Sequence, residues 1–325
     1  MKFWWVNHKQ TFTHEVSGRY IWCPKRKKNG ARNHFYETAR EVCPGHLVFS
    51  YAFAAVQAVG LARTYCYSCP QPDEFGRVGS AWNVLGWRVD IDFQRFSNPL
   101  RTANHMHQLR ELLPAKYSPI KASDGFGNQG AYLAEIPRTM AQRILELTDP
   151  LLLGLLNEAR VAESDVLPDR SQESLSEWED SQERAIVTNI EAETDRIALV
   201  KARVGQGKFR ERVSAIERAC RVTQVVNPEH LVASHIKPWR EANNDERLAG
   251  ANGLLLTPSI DHLFDRGFIS FSDEGELLQS PVADVHSLGR MGVQQGRKIY
   301  VGGFNADQRH FLSYHREEIF LKSAS

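Results

Sequence analysis

Three short segments near the C-terminus constrain the fold more than anything else in the chain. They are Leu231-Val232-Ala233-Ser234-His235-Ile236-Lys237-Pro238-Trp239, then Ala251-Asn252-Gly253-Leu254-Leu255-Leu256, then Ile260-Asp261-His262-Leu263-Phe264-Asp265-Arg266-Gly267. The first reads as a strand ended by a histidine, and the second as a returning segment opened by an Asn-Gly turn. The third reads as a helix over Ser259–Phe264. A histidine at a strand end can hold its imidazole toward a groove. An asparagine on the returning segment can fix that ring by a hydrogen bond and so leave one nitrogen free as a base. Asp261 and His262 add a carboxylate and a second imidazole. A hard divalent cation needs only one or two protein ligands when phosphate and water supply the rest. Base, metal and phosphodiester together would make a hydrolytic site.

This ordered set resembles the HNH (ββα-metal) nuclease family, in the branch found in restriction-type endonucleases. The resemblance covers about 205–320 and includes the closing Tyr314-His315-Arg316-Glu317-Glu318-Ile319-Phe320. It implies that His235 is the general base and that Asn252 positions the loop and the base. It also implies that the third motif position supplies a ligand for one Mg²⁺ or Mn²⁺. That position falls on Asp261, with His262 one residue later as the alternative; a carboxylate suits a hard cation better than imidazole does. Ser234 precedes the base where many relatives carry Asp or His, and it is a weaker ligand. Lys237 is a candidate contact to the DNA backbone. Many relatives hold a structural zinc with two Cys pairs. Here Cys220 stands alone, with Thr257 and Ile260 where a second pair would be, so no zinc is expected.

Residues 1 to about 148 read differently, as mixed α/β. Phe3–Val6, His46–Phe53, Ala54–Ala62 and Trp87–Phe93 carry strand patterns. Helical pieces are expected at 32–42, 103–113 and 137–147. Five of the seven Trp lie here: Trp4, Trp5 and Trp87 in strands, as core, and Trp22 and Trp82 near loops. Trp22 is followed closely by Lys25-Arg26-Lys27-Lys28. Cations beside a ring are what phosphate and base binding require. The lone Cys66-x-x-Cys69 lacks the second pair that a zinc site needs. Residues 149–204 read as a helical linker, polar and charged after an apolar start, with Pro168 as a breaker. Residues 205–213 open an amphipathic helix, 219–240 look hairpin-like, 267–278 form a small hairpin and 306–320 a terminal helix.

The order of elements in 1–148 resembles EVE domains, of the PUA-like superfamily that includes the YTH and SRA readers of modified bases. Its marks are the Trp22 strand end, the Asn33–Val42 helix, the Val48–Tyr51 and Val59–Ala62 strands and the Trp82/Trp87 segment. The resemblance implies an aromatic cage for an extruded base. Trp22 and Trp82 would be its walls, with Ser50 lining the pocket, Tyr36 stacking and Asp90 bonding to the base edge. Lys25, Arg26, Lys27 and Lys28 would meet the DNA backbone.

The expected fold class is therefore α+β, with a PUA-like curved sheet or barrel over 1–148, a helical linker over 149–204 and a ββα-metal HNH domain over 205–325. The whole resembles EVE-HNH modification-dependent (type IV-like) restriction endonucleases. That implies double-stranded DNA carrying 5-methylcytosine or 5-hydroxymethylcytosine as partner, and a prokaryotic cytoplasmic location. One HNH site cuts one strand, so a double-strand cut requires two copies, for which a homodimer is one arrangement. Composition agrees in what it excludes. No stretch approaches the roughly 20 apolar residues of a membrane helix. Five Cys without a secretory signal point to a reducing compartment. With 40 Lys+Arg against 39 Asp+Glu, any nucleic-acid binding must come from local patches. Two other readings stay open: a nuclease for RNA or unmodified DNA, and a binding protein whose HNH domain is a dead scaffold.

Overall fold

The computed structural model describes residues 1–76, 85–128, 130–157, 205–294, 296 and 298–323. Trp82 and the linker stretch 158–204 lie outside the described residues. The chain divides into two compact units, Met1–Leu175 with Ser323–Ser325, and Ser176–Lys322.

The first unit is a curled, half-barrel sheet flanked by helices. Its strands are β1 (Phe3–Asn7), β2 (Tyr20–Pro24), β3 (Leu47–Ala52), β4 (Ala55–Ala62), β5 (Tyr67–Pro70), β6 (Leu85–Arg101) and β7 (Leu133–Ile136). They lie in the order β2-β6-β4-β3-β1-β7, with β5 also on β6. β1 and β3 are parallel, and the other pairings are antiparallel. β3 is buried along its whole length, which explains its unbroken run of uncharged side chains. The expected strand over Trp87–Phe93 is the middle of β6, a 17-residue strand that pairs in turn with β2, β5 and β4. Register shifts between Ser50 and Tyr51, and between Val56 and Ala58, mark a bulge at Gln57. Such a bulge bends the strand and re-aims side chains.

Of the expected helices, 137–147 appears as α2 (Arg138–Thr148), with Met140, Ala141, Ile144 and Leu145 buried on one face. The others are short turns: His34–Glu37 running into Thr38–Glu41, and three pieces between Thr102 and Leu112. An early helix, α1 (Phe12–Gly18), packs Phe12 and Val16 against Ala52. Trp4, Trp5 and Trp87 are buried, as their strand positions suggest.

The second unit is built on a two-strand hairpin, β8 (Val232–His235) and β9 (Gly253–Leu256), covered by α3 (Gly205–Ile216) and α4 (Pro258–Asp265). A second hairpin, β10 (Ile269–Phe271) with β11 (Leu277–Gln279), and the terminal helix α5 (Ala306–Glu318) complete it. The hairpin-like reading of 219–240 is not what forms. The partner of Val232–His235 is β9, across a connection that holds a short capped helix at Asn244–Leu248. Gly253 is required by packing: a Cβ there would sit 2.3 Å from Val213 Cγ2 and 2.7 Å from Phe209 Cζ. α3 therefore lies directly against the strand that faces His235. A buried clamp holds the C-terminal end of α3. Arg221 pairs with Glu217 through two 2.7 Å contacts and donates to the Gly302 and Gly303 carbonyls, while Gln308 of α5 donates to Glu217. Among the described residues no helix is long and apolar enough to cross a membrane.

Candidate active site and N-terminal cavity

His235 ends β8 opposite Gly253. Its ring stacks on Phe209 of α3, with centroids 3.8 Å apart and planes 1° from parallel. Its Nε2 lies 3.0 Å from the Arg247 carbonyl oxygen. A carbonyl only accepts, so Nε2 carries the proton and Nδ1 presents its lone pair. Nδ1 has no partner among the described residues. Burial, with the Arg247 guanidinium nearby, holds this imidazole below its ordinary pKa, although the carbonyl bond opposes the shift. The ring is thus neutral near pH 7, and its unprotonated Nδ1 is a free basic nitrogen on a residue that is partly exposed.

His315 shows what a structural histidine looks like in the same unit. It also stacks on a phenylalanine, Phe264, at 3.8 Å and 4°. Both of its nitrogens are used, however: Nε2 on the Phe264 carbonyl and Nδ1 with Ser270 Oγ. It is fully buried and ties α5 to α4 and β10.

Asn252 is completely buried, and its side-chain hydrogen bonds go to backbone groups of Lys237 and Glu246 rather than to the His235 ring. The ring-fixing bond expected of it comes instead from the Arg247 carbonyl. Asn252 accepts from Lys237 N at 2.8 Å and donates to the carbonyls of Lys237 (3.1 Å) and Glu246 (3.0 Å). It therefore staples both ends of the loop that carries Arg247. Lys237 does not extend freely toward solvent. Its ammonium lies 2.6 Å from Glu246 Oε2 and 5.2 Å from the Tyr314 ring centroid, so its first role is to hold the loop.

On the other side of β8, Ser234 meets α4. Its hydroxyl bonds to the Asp261 carboxylate and lies 3.4 Å from Asp265 Oδ1. Burial pushes the Asp261 carboxyl up, while the Ser234 bond and the nearby His262 charge oppose it. Asp265 sits one helical turn after Asp261, so both carboxylates project from one face. Sequence reading passed over Asp265, although the four-residue spacing was there to find. His262 lies at the surface beside Asp261. Among the described residues no three His, Cys, Asp or Glu side chains converge as a metal cluster. The donor set here is two carboxylates around a single hydroxyl proton. All are oxygen donors, which suits a hard divalent cation that keeps water and phosphate in its other positions. Cys220 is buried beside Thr257, 4.0 Å from its hydroxyl.

In the first unit, a cavity of about 710 Å³ opens beside β1 and β3. Tyr36, Tyr51, Tyr132, His8 and Phe126 give it aromatic walls, and Asn7 and Asn128 add amides. Behind His8 lies a fully buried polar chain. His8 Nδ1 pairs with Glu15, and its Nε2 lies 2.7 Å from Ser50 Oγ. Glu15 also accepts from the Tyr132 hydroxyl and from Trp22 N. Burial beside the Glu15 carboxylate pushes the Tyr132 phenol far up, so it stays a donor. The Tyr51 hydroxyl is buried without a partner among the described residues.

Trp22, Ser50 and Asp90, expected to form a cage, do not line this cavity. Of the described members of that set, Tyr36 alone lines it. Trp22 is 1% exposed, packed edge-on to Phe75 and bonded to the Cys69 carbonyl; a Cβ on Gly86 would sit 2.3 Å from its ring. It is core because β2 is covered on both faces. Ser50 stands behind His8 rather than at the surface of the cavity. Asp90 is engaged on β6 by Tyr67 and Arg88. The basic run also divides. Lys25 is 5% exposed, with its ammonium 4.5 Å from the Trp87 centroid. Arg26 bonds the Gly30 carbonyl, and of the four only Lys27 and Lys28 are exposed. The lining residues come from segments far apart in sequence, and no local pattern announces them.

Residues 220–272 match the family model described as HNH endonuclease. The C-terminal unit carries an HNH endonuclease domain. The match spans β8, β9, α4 and β10, and so includes His235, Asn252, Asp261 and Asp265. An HNH domain supports nucleic-acid cleavage and, as in such nucleases generally, the use of a divalent metal. No protein of curated function matches the chain. Two solved structures are weakly similar. One is a hypothetical protein from Leishmania major, at 9% identity and TM-score 0.32, over 45% of this chain and 94% of that one. The other is Rpa0253 from Rhodopseudomonas palustris, solved by NMR, at 13% identity and TM-score 0.29, over 50% of this chain and 98% of that one. Likeness at this level assigns no fold family.

Proposed function

We propose that this chain is a modification-dependent DNA endonuclease. Its C-terminal unit would hydrolyse phosphodiester bonds, and its N-terminal unit would read an extruded 5-methylcytosine or 5-hydroxymethylcytosine. The observation that carries the nuclease half is the state of His235: neutral, clamped by Phe209 and the Arg247 carbonyl, with Nδ1 free. That nitrogen takes the proton of a water as its oxygen attacks phosphorus. Asn252 keeps Arg247 and hence the ring in place. Asp261 and Asp265, with Ser234 between them, would hold Mg²⁺ or Mn²⁺, which supplies charge stabilisation at the phosphate and the leaving oxygen.

The reader half rests on the N-terminal cavity. It has room for a base, aromatic walls for stacking and amides for an edge. Extruding a base costs a few kcal/mol, and each aromatic stack returns roughly 1–3 kcal/mol. A buried methyl adds only about 0.8 kcal/mol. Preference for methylated over plain cytosine by this cavity alone would therefore be about fourfold, and the hydroxymethyl group would need a polar partner. Each domain has one nuclease site, so cutting both strands takes two copies or two binding events.

The direct test of the base is cleavage by the full chain with Mg²⁺ after His235→Ala. Loss of cleavage with unchanged DNA binding supports the assignment. Undiminished cleavage removes His235 from the chemistry.

A further inference from the structure

The tip of the β3–β4 hairpin is a two-residue turn, Phe53-Ala54, with Ala52 and Ala55 paired across it. Both turn residues have positive φ, 53° and 62°. Such a turn normally takes Asn-Gly, because a side chain in the left-handed region is strained. Here the first position carries a large apolar ring that is 55% exposed. It sits on the rim of the aromatic cavity. Strain together with an exposed Phe is an unusual pair to keep on a hairpin that Asn-Gly would satisfy better, and such outliers gather at working sites.

The surroundings fit one use. Phe53 packs edge-on against Phe12 at 5.7 Å, and Arg95 lies 5.1 Å from the Phe12 ring centroid. Arg101 is in register with Ala55, and Lys9 lies on the cavity rim. Lys9, Arg95 and Arg101 are exposed and make no ion pair among the described residues. The ring is therefore braced from behind and flanked by cations that could take phosphates. Tyr51 also lines the cavity, and its hydroxyl is buried without a partner among the described residues. An apolar side chain inserted between base steps unstacks them and bends the duplex. We infer that Phe53 is a wedge that enters duplex DNA in place of the base drawn into the cavity. This inference rests on the base-reading role proposed above.

The test uses the full chain and a double variant, Phe53→Asn with Ala54→Gly, which supplies the favoured turn and should melt no lower than wild type. Phe53→Leu, which keeps a smaller wedge, serves as a second variant. The DNA is a duplex with 2-aminopurine beside a 5-methylcytosine, either paired with guanine or facing an abasic gap. Wild type should raise the fluorescence of the paired duplex. The double variant should lose that rise and bind the paired duplex about tenfold more weakly, yet bind the gapped duplex as wild type does, with Phe53→Leu intermediate. Equal behaviour of wild type and double variant would overturn the wedge while base reading stands. Equal weakening on both duplexes would make Phe53 a general contact and also overturn it. No fluorescence rise with wild type would overturn base extrusion itself, and the wedge with it.

Discussion

Replacing Asn252 by Ala would remove three hydrogen bonds from a fully buried position. It would leave the Lys237 N–H and the carbonyls of Lys237 and Glu246 without their partner. A buried polar group left unpaired costs about 1–3 kcal/mol. Allowing for some water entry, the second unit should lose about 3 kcal/mol, which lowers its transition by on the order of 10 °C. The same loss frees the loop carrying Arg247, whose carbonyl fixes the His235 ring. A displacement of about 1 Å in a reacting group can cost a factor on the order of 100 in rate. Thermal melting and single-turnover cleavage, measured well below both transitions, separate the two effects. Asn252→Asp would keep the acceptor for Lys237 N but press a carboxylate against two carbonyls, so it should be no better than alanine. If Asn252→Ala melted like wild type and yet failed to cut, Asn252 would act on the reacting groups directly and the staple argument would be wrong.

Two further predictions concern pH and metal. His46 accepts hydrogen bonds from Trp4 Nε1 and Cys43 N, and burial, with the charges of the N-terminus and Lys2, holds its pKa down to about 4. A depressed folded-state pKa means stability is complete above the ordinary value near 6.5 and is lost as pH falls toward 4. The loss reaches about 3 kcal/mol before discount for partial exposure, and melting of the first unit against pH should flatten below pH 6.5 in His46→Asn. Asp265→Asn should raise the Mg²⁺ needed for half-maximal cleavage about tenfold or more, as should Asp261→Asn; a Mg²⁺ titration in which Asp265→Asn matches wild type would remove it from the donor set.

What could be read from the sequence follows from where the determining groups lie along the chain. The nuclease motif was legible because its parts are side chains at fixed spacing: His235, Asn252 and Asp261. Asp265 was legible in principle, four residues after Asp261 on one helix. The group that holds His235 was not, because it is the backbone carbonyl of Arg247, and Phe209 approaches from a helix more than twenty residues upstream. β3 and β4 were evident from apolar runs on either side of a turn. β6 was underestimated because beyond Phe93 it becomes largely exposed and polar, with only Phe96 and Leu100 turned inward. Trp22 was misplaced because an aromatic next to Lys25-Arg26-Lys27-Lys28 looks like a surface group, whereas β2 is buried along its length. The cavity was invisible because its walls come from the ends of β1 and β3, the short helix at Tyr36 and the loop before β7. Only tertiary structure brings them together.

The central claim joins a cytosine-modification reader to an HNH nuclease. Its most direct test is Mg²⁺- and Mn²⁺-dependent cleavage, by the full chain, of matched plasmids that carry cytosine, 5-methylcytosine or 5-hydroxymethylcytosine. The account predicts that the modified plasmids are cut several-fold faster than the unmodified one. Equal cutting of all three would contradict the reader, and no cutting of any would contradict the claim as a whole.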